Sequence, residues 1–487
     1  MNEDTYSGNI RTIKCSLKRF CSSKKLKERI IEKTTILNHI KTELLHFINI
    51  ELRINCENKL KNKERTLEKP YDKKRLLEYI NCISYCQKKS SIPNYLQDVK
   101  KIYDETRQPF NLPGISRKDI SGNPIKELIN HLVASIETNI QLHFFKRQLR
   151  YIMLRDNLDK RDAKKKQNEI NKQIGNTNDD SLPFFIEKGV AYDLKVYPER
   201  FLYPMWIMNS FFSSKQTWTF SLLPLSTGFI DGSVLSLDTT ALLCLIPSKK
   251  RPKKEKKTDK KESEKTKESE KIIKKRKAPG RDNDPEAMDE KDKIWKPFFN
   301  IDSIMKYKTK GVRFGHHITT DGISVSIQLI YPGKQEISNK KKKSSKENIN
   351  IPINIDLKKV IGVDPGKHEI VHMTNEDSPS NEKGITLKYT SAQRRHESGS
   401  TIRSDKIKYH KKLNPEIQRL EDLLSKENSC SPSLNQFINY LKVRFSVQKE
   451  LYKYYANPIF RIYRWWNFRG RRSSEDKFVQ KVFNKFI

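Results

Sequence analysis

The sequence predicts an α+β multidomain chain with a mainly helical region, a β-rich region and a final α/β region that opens with short strands. Three observations carry this expectation. Apolar residues recur at helical spacing over 26–48 and 128–144. They alternate with polar ones over Ile10–Leu17 and Ile323–Leu329. Three short β-prone runs then follow one another between Val360 and Tyr389. With 487 residues the chain has length for about three domains.

Charge narrows the function classes. The 97 Lys and Arg exceed the 59 Asp and Glu by 38, and the pI is near 9.7. Such an excess repels itself unless a polyanion neutralises it, which points to nucleic acid or an anionic surface; a lysine-rich solvated surface is the plainer alternative. No apolar run approaches the 18 residues of a membrane span, so no membrane partner is expected. The start, Met1-Asn2-Glu3-Asp4, has no signal-peptide core. Seven scattered cysteines make no disulfide framework and fit a reducing compartment. Cys82 and Cys86 are two ligands without a Cys-x-x-Cys pair anywhere, so zinc is not expected.

In chain order, residues 1–25 hold the first strand, Ile10–Leu17. Residues 26–180 form the helical region. Its first helix carries Ile30, Leu37, Ile40, Leu44, Leu45 and Ile48 on one face. Its second starts near Pro124 and runs through Leu128, Ile129, Leu132, Ile136, Ile140 and Phe144 to Tyr151, with a basic far end of Lys146, Arg147, Arg150 and Arg155. A polar loop follows at 176–179. Residues 181–248 and 278–339 form the β-rich region. There Thr217–Leu223 reads as strand-like, Asp238 as the cap of a short helix, and Arg313–Leu329 as a hairpin turning at Thr320-Asp321-Gly322. Asp321 is an acid in a turn, and turn chemistry explains it.

Residues 249–277 are low-complexity charge, 16 Lys and Arg against 6 Asp and Glu. They are expected to be disordered. Lys249, Lys250, Arg251, Lys253 and Lys254 match a nuclear-import signal, as does 274–277, and a nuclear location follows; a solvated tether is the alternative. A second basic loop spans 340–354.

The region 355–487 carries the chemistry. Val360-Ile361-Gly362-Val363-Asp364-Pro365-Gly366 is an apolar strand ending in a carboxylate, and strands at Ile370–Met373 and Ile385–Tyr389 follow. This is how a ribonuclease H-like fold begins; an Asp-Pro-Gly string that is simply a turn is the alternative. In that fold the first-strand acid holds Mg²⁺, because a hard cation wants an oxygen ligand on a rigid element. Farther on, Leu434, Phe437, Ile438, Leu441 and Phe445 make a helical stripe. Phe460, Tyr463, Trp465, Trp466 and Phe468 then interleave with Arg461, Arg464, Arg469, Arg471 and Arg472. Arginine for phosphate and aromatics for bases is the composition of a nucleic-acid groove, and an amphipathic helix with an aromatic core face has the same composition. The last helix ends on an apolar face of Phe478, Val479, Val482, Phe483 and Phe486.

The Asp-Pro-Gly strand followed by Tyr389-Thr390-Ser391-Ala392-Gln393-Arg394-Arg395-His396-Glu397-Ser398-Gly399 resembles the RuvC-like nuclease of the Fanzor family. These are eukaryotic and giant-virus relatives of the TnpB nucleases. The blocks Phe220–Leu225, Leu237–Leu242 and Thr320–Ser326 agree with that family in order. The resemblance implies a partial RuvC-like domain over 355–487 and a guide-like RNA held between a helical recognition lobe and a wedge-plus-nuclease lobe. It also implies a DNA target, Mg²⁺ as cofactor, Asp364 as the first catalytic and metal-binding acid, and Arg394 and Arg395 as nucleic-acid contacts. Members of the family continue with a second carboxylate, a zinc ribbon and a third carboxylate, for which this sequence has no counterpart. The expectation is therefore a C-terminally truncated relative that binds nucleic acid without cutting it. Glu397 and Glu475 are acids without an assigned role; Glu475 reads as a helix-start residue after Ser473-Ser474. Two other readings stand beside this one: a non-catalytic nuclear RNA-binding protein derived from the transposon, and a DNA transposase with a ribonuclease H-like fold.

Overall fold

The computed structural model describes residues 9–64, 71–84, 92–116, 123–223, 229, 234–246, 285–306, 308, 311–331, 361–375 and 385–486. The basic segments 249–277 and 340–354, with Lys249, Lys250, Arg251, Lys253 and Lys254, lie outside the described residues, as does Cys86. The chain divides into two units, Met1–Gly333 with Ser425–Ser446, and Lys334–Leu424 with Val447–Ile487. Helix and antiparallel sheet mix in both, and no helix among the described residues is long and apolar enough to cross a membrane.

The first unit opens with β1 (Asn9–Ser16), α1 (Leu17–Phe20) and α2 (Lys24–Lys61). Then come α3 (Lys73–Ile83), α4 (Gln97–Arg107), α5 (Asn123–Arg155), α6 (Lys160–Ile170) and the short pair β2 (Gly175–Asn176) and β3 (Phe185–Ile186). After α7 (Val190–Val196), α8 (Leu202–Ser214), β4 (Leu235–Leu237) and α9 (Thr239–Leu245) it closes with α10 (Pro285–Trp295), α11 (Ile301–Met305), β5 (Arg313–Thr320) and β6 (Ser324–Tyr331). Its four-stranded sheet has the order β1-β6-β5-β4, every pair antiparallel.

Alternation fixes that sheet's inner face. Val325, Ile327 and Leu329 are buried, and Ile13 stands opposite Ile327. The expected hairpin forms, and Asp321 acts as turn chemistry: its Oδ1 accepts from the backbone N of Ile323 (3.0 Å) and Ser324 (2.7 Å). Trp295 of α10 is the plug. It is fully buried against Phe299 and Phe314, and its indole N–H donates to Thr239 Oγ1 at 3.0 Å. Where β5 bulges between Phe314 and Ile318, His316 adopts φ +50°, a strained conformation costing about 1–3 kcal/mol. Its Nε2 lies 2.7 Å from Asp292 Oδ1 on α10, a contact that holds the bulge.

Residues 181–248, expected to be β-rich, are mainly helical where described. The run Leu202–Ser214 is apolar on all sides, which makes a buried helix rather than an alternating strand, and Leu202, Met205, Trp206, Met208 and Phe212 are buried. Thr217–Leu223 is not a strand either. Its backbone groups are taken by side chains: Phe220 N donates to Asn209 Oδ1 (2.9 Å), while Asn139 and Arg147 donate to the carbonyls of Leu222 and Ser221 (both 3.3 Å). Thr217 N donates to the Phe212 carbonyl (2.9 Å), so no neighbouring strand is needed.

In the helical part, the predicted faces of α2 and α5 form the core, and Ile30, Leu37, Ile40, Leu44, Ile48, Ile136, Ile140 and Phe144 are buried. Helix α2 also buries two carboxylates two turns apart. Glu43 accepts from Tyr103 Oη (2.5 Å) with Arg107 Nε 3.7 Å away, and Glu51 accepts from Tyr79 Oη with Arg75 Nη2 3.4 Å away. Each of α4 and α3 thus presents a Tyr and an Arg one turn apart to one buried acid. Between them, burial and nearby Arg444 hold the imidazole of His46 below its usual range.

A distant segment is locked onto the same helix. Arg53 is fully buried; its Nε and Nη2 donate to the Ser431 carbonyl (3.0 and 2.7 Å), its Nη1 to the Asn49 carbonyl and Oδ1 (2.9 and 2.8 Å). The guanidinium sits 3.9 Å from the Phe437 ring centroid. Trp206 Nε1 donates to the Pro432 carbonyl (3.1 Å) and Asn209 Nδ2 to that of Cys430 (2.9 Å). Glu57 Oε1 accepts from Leu434 N at 2.9 Å, satisfying a first-turn donor of the next helix. Arg53→Leu should cost this unit about 2–4 kcal/mol, since it strips charged donors from two buried carbonyls. Guanidinium unfolding measures it, and a midpoint within error of wild type would contradict it.

Candidate nucleic-acid interface

The second unit holds β7 (Ile361–Asp364), β8 (Glu369–Asn375) and β9 (Thr386–Thr390), a three-stranded antiparallel sheet in sequence order. Helices α12 (Ser391–Glu397), α13 (Ser400–Lys412) and α14 (Pro415–Ser425) follow; the later part of α15 (Leu434–Tyr455) and α16 (Pro458–Phe486) complete it. The three strands fall where the sequence places them. β7, however, is exposed among the described residues, with Val363 56% accessible.

Asp364 ends β7, exposed, before the Pro365-Gly366 turn. That turn needs glycine, because a Cβ at Gly366 would lie 2.7 Å from the Glu369 carbonyl oxygen. In register Asp364 faces His372, and His372 faces Lys388, so the three side chains share one side of the sheet. Glu369 bonds Lys388 Nζ (3.1 Å) and approaches His372 Nδ1 (3.5 Å). Among the described residues no three His, Cys, Asp or Glu side chains converge as a metal site. Mg²⁺ catalysis of phosphodiester cleavage needs at least two carboxylates on its ions. The described surroundings of Asp364 do not fit that demand.

The two acids without an assigned role hold helices together. Glu397 Oε2 accepts from Ser474 Oγ (2.6 Å) and its Oε1 from Gln393 Nε2 (2.7 Å). Ser474 also meets the Tyr389 hydroxyl at 2.8 Å, and the Tyr389 ring stacks on Phe478 with centroids 4.7 Å apart. Glu475 bonds Arg394. Two expectations change here. Glu475 lies inside α16 and starts no helix, since helical pattern continues unbroken from Pro458. Arg394 is committed to Glu475 within the protein, whereas Arg395 is exposed.

Helix α16 passes very close to the α12–α13 junction. A Cβ at Gly470 would lie 2.2 Å from the Ser398 carbonyl oxygen. Next to this crossing Arg403 Nη2 donates to Asn467 Oδ1 at 2.7 Å. Burial first, then the charge of Arg471, pulls the Arg403 guanidinium below its usual range, so the two cations are neighbours. Arg403, Asn467 and Gly470 belong to the site yet escaped the sequence reading; a lone glycine between Arg469 and Arg471 was the available signal.

The aromatic–arginine stripe splits by face. Phe460 and Tyr463 are buried, whereas Trp466 (43%) and Phe468 (37%) are exposed, Phe468 stacked on Trp465 at 5.6 Å. Arg461 is half-buried and Arg464 exposed, and both already make contacts within the chain. Arg469, Arg471 and Arg472 are exposed and make no ion pair among the described residues. Of the terminal apolar face, Phe486 is buried and Phe478 covered by Tyr389, while Val479 and Phe483 remain exposed.

Residues 269–331 match a family described as a domain of unknown function (DUF8286), a stretch of the first unit that includes α10, α11 and the β5–β6 hairpin. No curated protein matches the chain.

Gly470→Ala should destabilise the second unit by about 1–3 kcal/mol, because the methyl group meets backbone rather than a movable side chain. An unchanged melting temperature would contradict the close crossing. A second test uses pH. The Ser474 and Gln393 hydrogen bonds hold the Glu397 carboxyl below the usual carboxylate range. Its stabilisation is complete above the ordinary value of 4.5 and is lost as pH falls through the lowered folded value. Glu397→Gln should therefore flatten the acid limb of the stability curve, and an identical limb would remove Glu397 from this role.

Proposed function

We propose that this chain is a nucleic-acid-binding protein of the Fanzor kind, with a guide-like RNA as first partner, DNA as target and the nucleus as its place of action. The observation that carries the proposal is the outer face of α16. Exposed Trp466 and Arg469 lie one turn apart there, and exposed Phe468 lies one turn from exposed Arg471 and Arg472, on a helix fixed to β9 and α12 by Tyr389, Glu397 and Gly470. Guanidinium groups take phosphates and exposed rings take base faces, and a rigid support lowers the ordering cost of both. The net charge of +38 supplies the long-range attraction.

The sheet order β7-β8-β9 with Asp364 at the end of its first strand supports a RuvC-like beginning. Two positive observations favour binding over cutting, which is the non-catalytic RNA-binding reading. Glu397 and Glu475, the nearby acids of α12 and α16, are spent on Ser474, Gln393 and Arg394.

RNA affinity should fall steeply with salt, by about 0.7 in log K per neutralised phosphate for a single strand. Replacing Arg469, Arg471 and Arg472 together by Ala should lower that slope by roughly 2. Replacing Arg461 and Arg464 should change it less, since both serve contacts within the chain. Fluorescence anisotropy with a labelled RNA across a salt series measures this. An unchanged slope in the triple variant would exclude α16 as the phosphate-binding face.

A further inference from the structure

The first unit carries a basic surface of its own at the end of α5. On its outer side Leu142, Lys146, Arg150 and Leu154 follow one another at i, i+4 and all are exposed. Against this row lies Trp218, 57% exposed. Arg150 is held between two rings, its guanidinium carbon 5.3 Å from the Trp218 centroid and 5.7 Å from that of Phe212. The ladder continues inward. Trp218 leans on Phe220 at 6.0 Å, and buried Arg147 lies 3.9 Å from the Phe220 centroid. Lys215 adds a cation 5.8 Å from the Phe211 ring.

Trp218 stands on a pinned segment. Thr217 N and Oγ1 both bond the Phe212 carbonyl (2.9 and 3.0 Å), Phe220 N bonds Asn209, and Arg147 bonds the Ser221 carbonyl. The ring is therefore held at the surface, with Arg150 over it and more than half of the residue open to solvent, and has little freedom to lose. Lys146, Arg150 and Lys215 make no ion pair among the described residues, unlike Arg155, which is committed to Asp156 and Asp179. A rigid exposed ring among uncompensated cations is the pattern that takes one base and its flanking phosphates.

We infer that Trp218, Arg150, Lys146 and Lys215 form a second stacking site, on the first unit, for an unpaired base of single-stranded RNA. The inference rests on reading the chain as an RNA binder and adds a place where unpaired bases bind. An acidic peptide would answer the charges without covering the indole face, which favours the nucleic acid.

The test uses the full chain with a labelled 12-mer of uridine, its thymidine counterpart and vesicles of phosphatidylserine. Trp218→Ala should weaken uridine binding about tenfold or more, and Trp218→Phe should keep most of it. Arg150→Ala should weaken it as well. Photocrosslinking should mark the peptide carrying Trp218. Circular dichroism controls for folding, which an exposed ring should barely affect. RNA binding that falls in the α16 triple variant but not in Trp218→Ala overturns this site and leaves the RNA-binding reading standing. Absence of any RNA binding overturns both. Tighter binding of the thymidine strand, lost with Trp218, assigns the site to DNA and overturns the RNA assignment. Vesicle binding lost in Trp218→Ala while RNA binding stays unchanged makes it a membrane contact and overturns it too.

Discussion

Arg53 is fully buried, and taking a guanidinium out of water costs several kcal/mol unless its donors are used. Burial pulls it down to about 10, so it stays charged at neutral pH. The helical part of the first unit is built around this demand. Ser431 offers its carbonyl oxygen to two donors, Asn49 takes a third group twice, and Phe437 covers the plane. Residues nearly 400 positions later in sequence are thereby bound into the first unit, and Glu57, Trp206 and Asn209 complete the attachment. The start of α15 is fixed because a charge on α2 has nowhere else to go.

Local pattern made much of this fold legible. The faces of α2 and α5, the alternation of β1 and β6, the Asp238 cap and the Asp321 turn all follow from neighbours within a few residues. What sequence pattern missed depends on distant partners. Thr217–Leu223 looks like a strand, but its backbone is satisfied by Asn209, Asn139 and Arg147 from two helices. Glu475 looks like a capping acid until Arg394, 81 residues earlier, is found bonded to it. In the site, the aromatic–arginine composition was legible, while the division into buried Tyr463 and exposed Trp466 was not. Tyr463 lies against His410 of α13, a contact 53 residues apart that no periodicity reveals.

The same residues separate adhesion from chemistry. Cations are abundant and, at Arg469, Arg471 and Arg472, uncommitted among the described residues, whereas acids near the helices of the second unit are consumed by packing. This distribution of charge is what supports the proposed phosphate binding. Asp364 shares its side of the sheet with His372 and Lys388, and Lys388 is bonded to Glu369. Binding is thus the property that the arrangement of charge supports most directly.

The central claim is that this protein carries RNA. The most direct measurement is purification of the full chain at low salt, followed by nuclease digestion and sequencing of what accompanies it. The account predicts RNase-sensitive, DNase-resistant material enriched in defined sequences and released as salt rises. A preparation free of nucleic acid at low salt, or one whose bound material is duplex DNA alone, would contradict it.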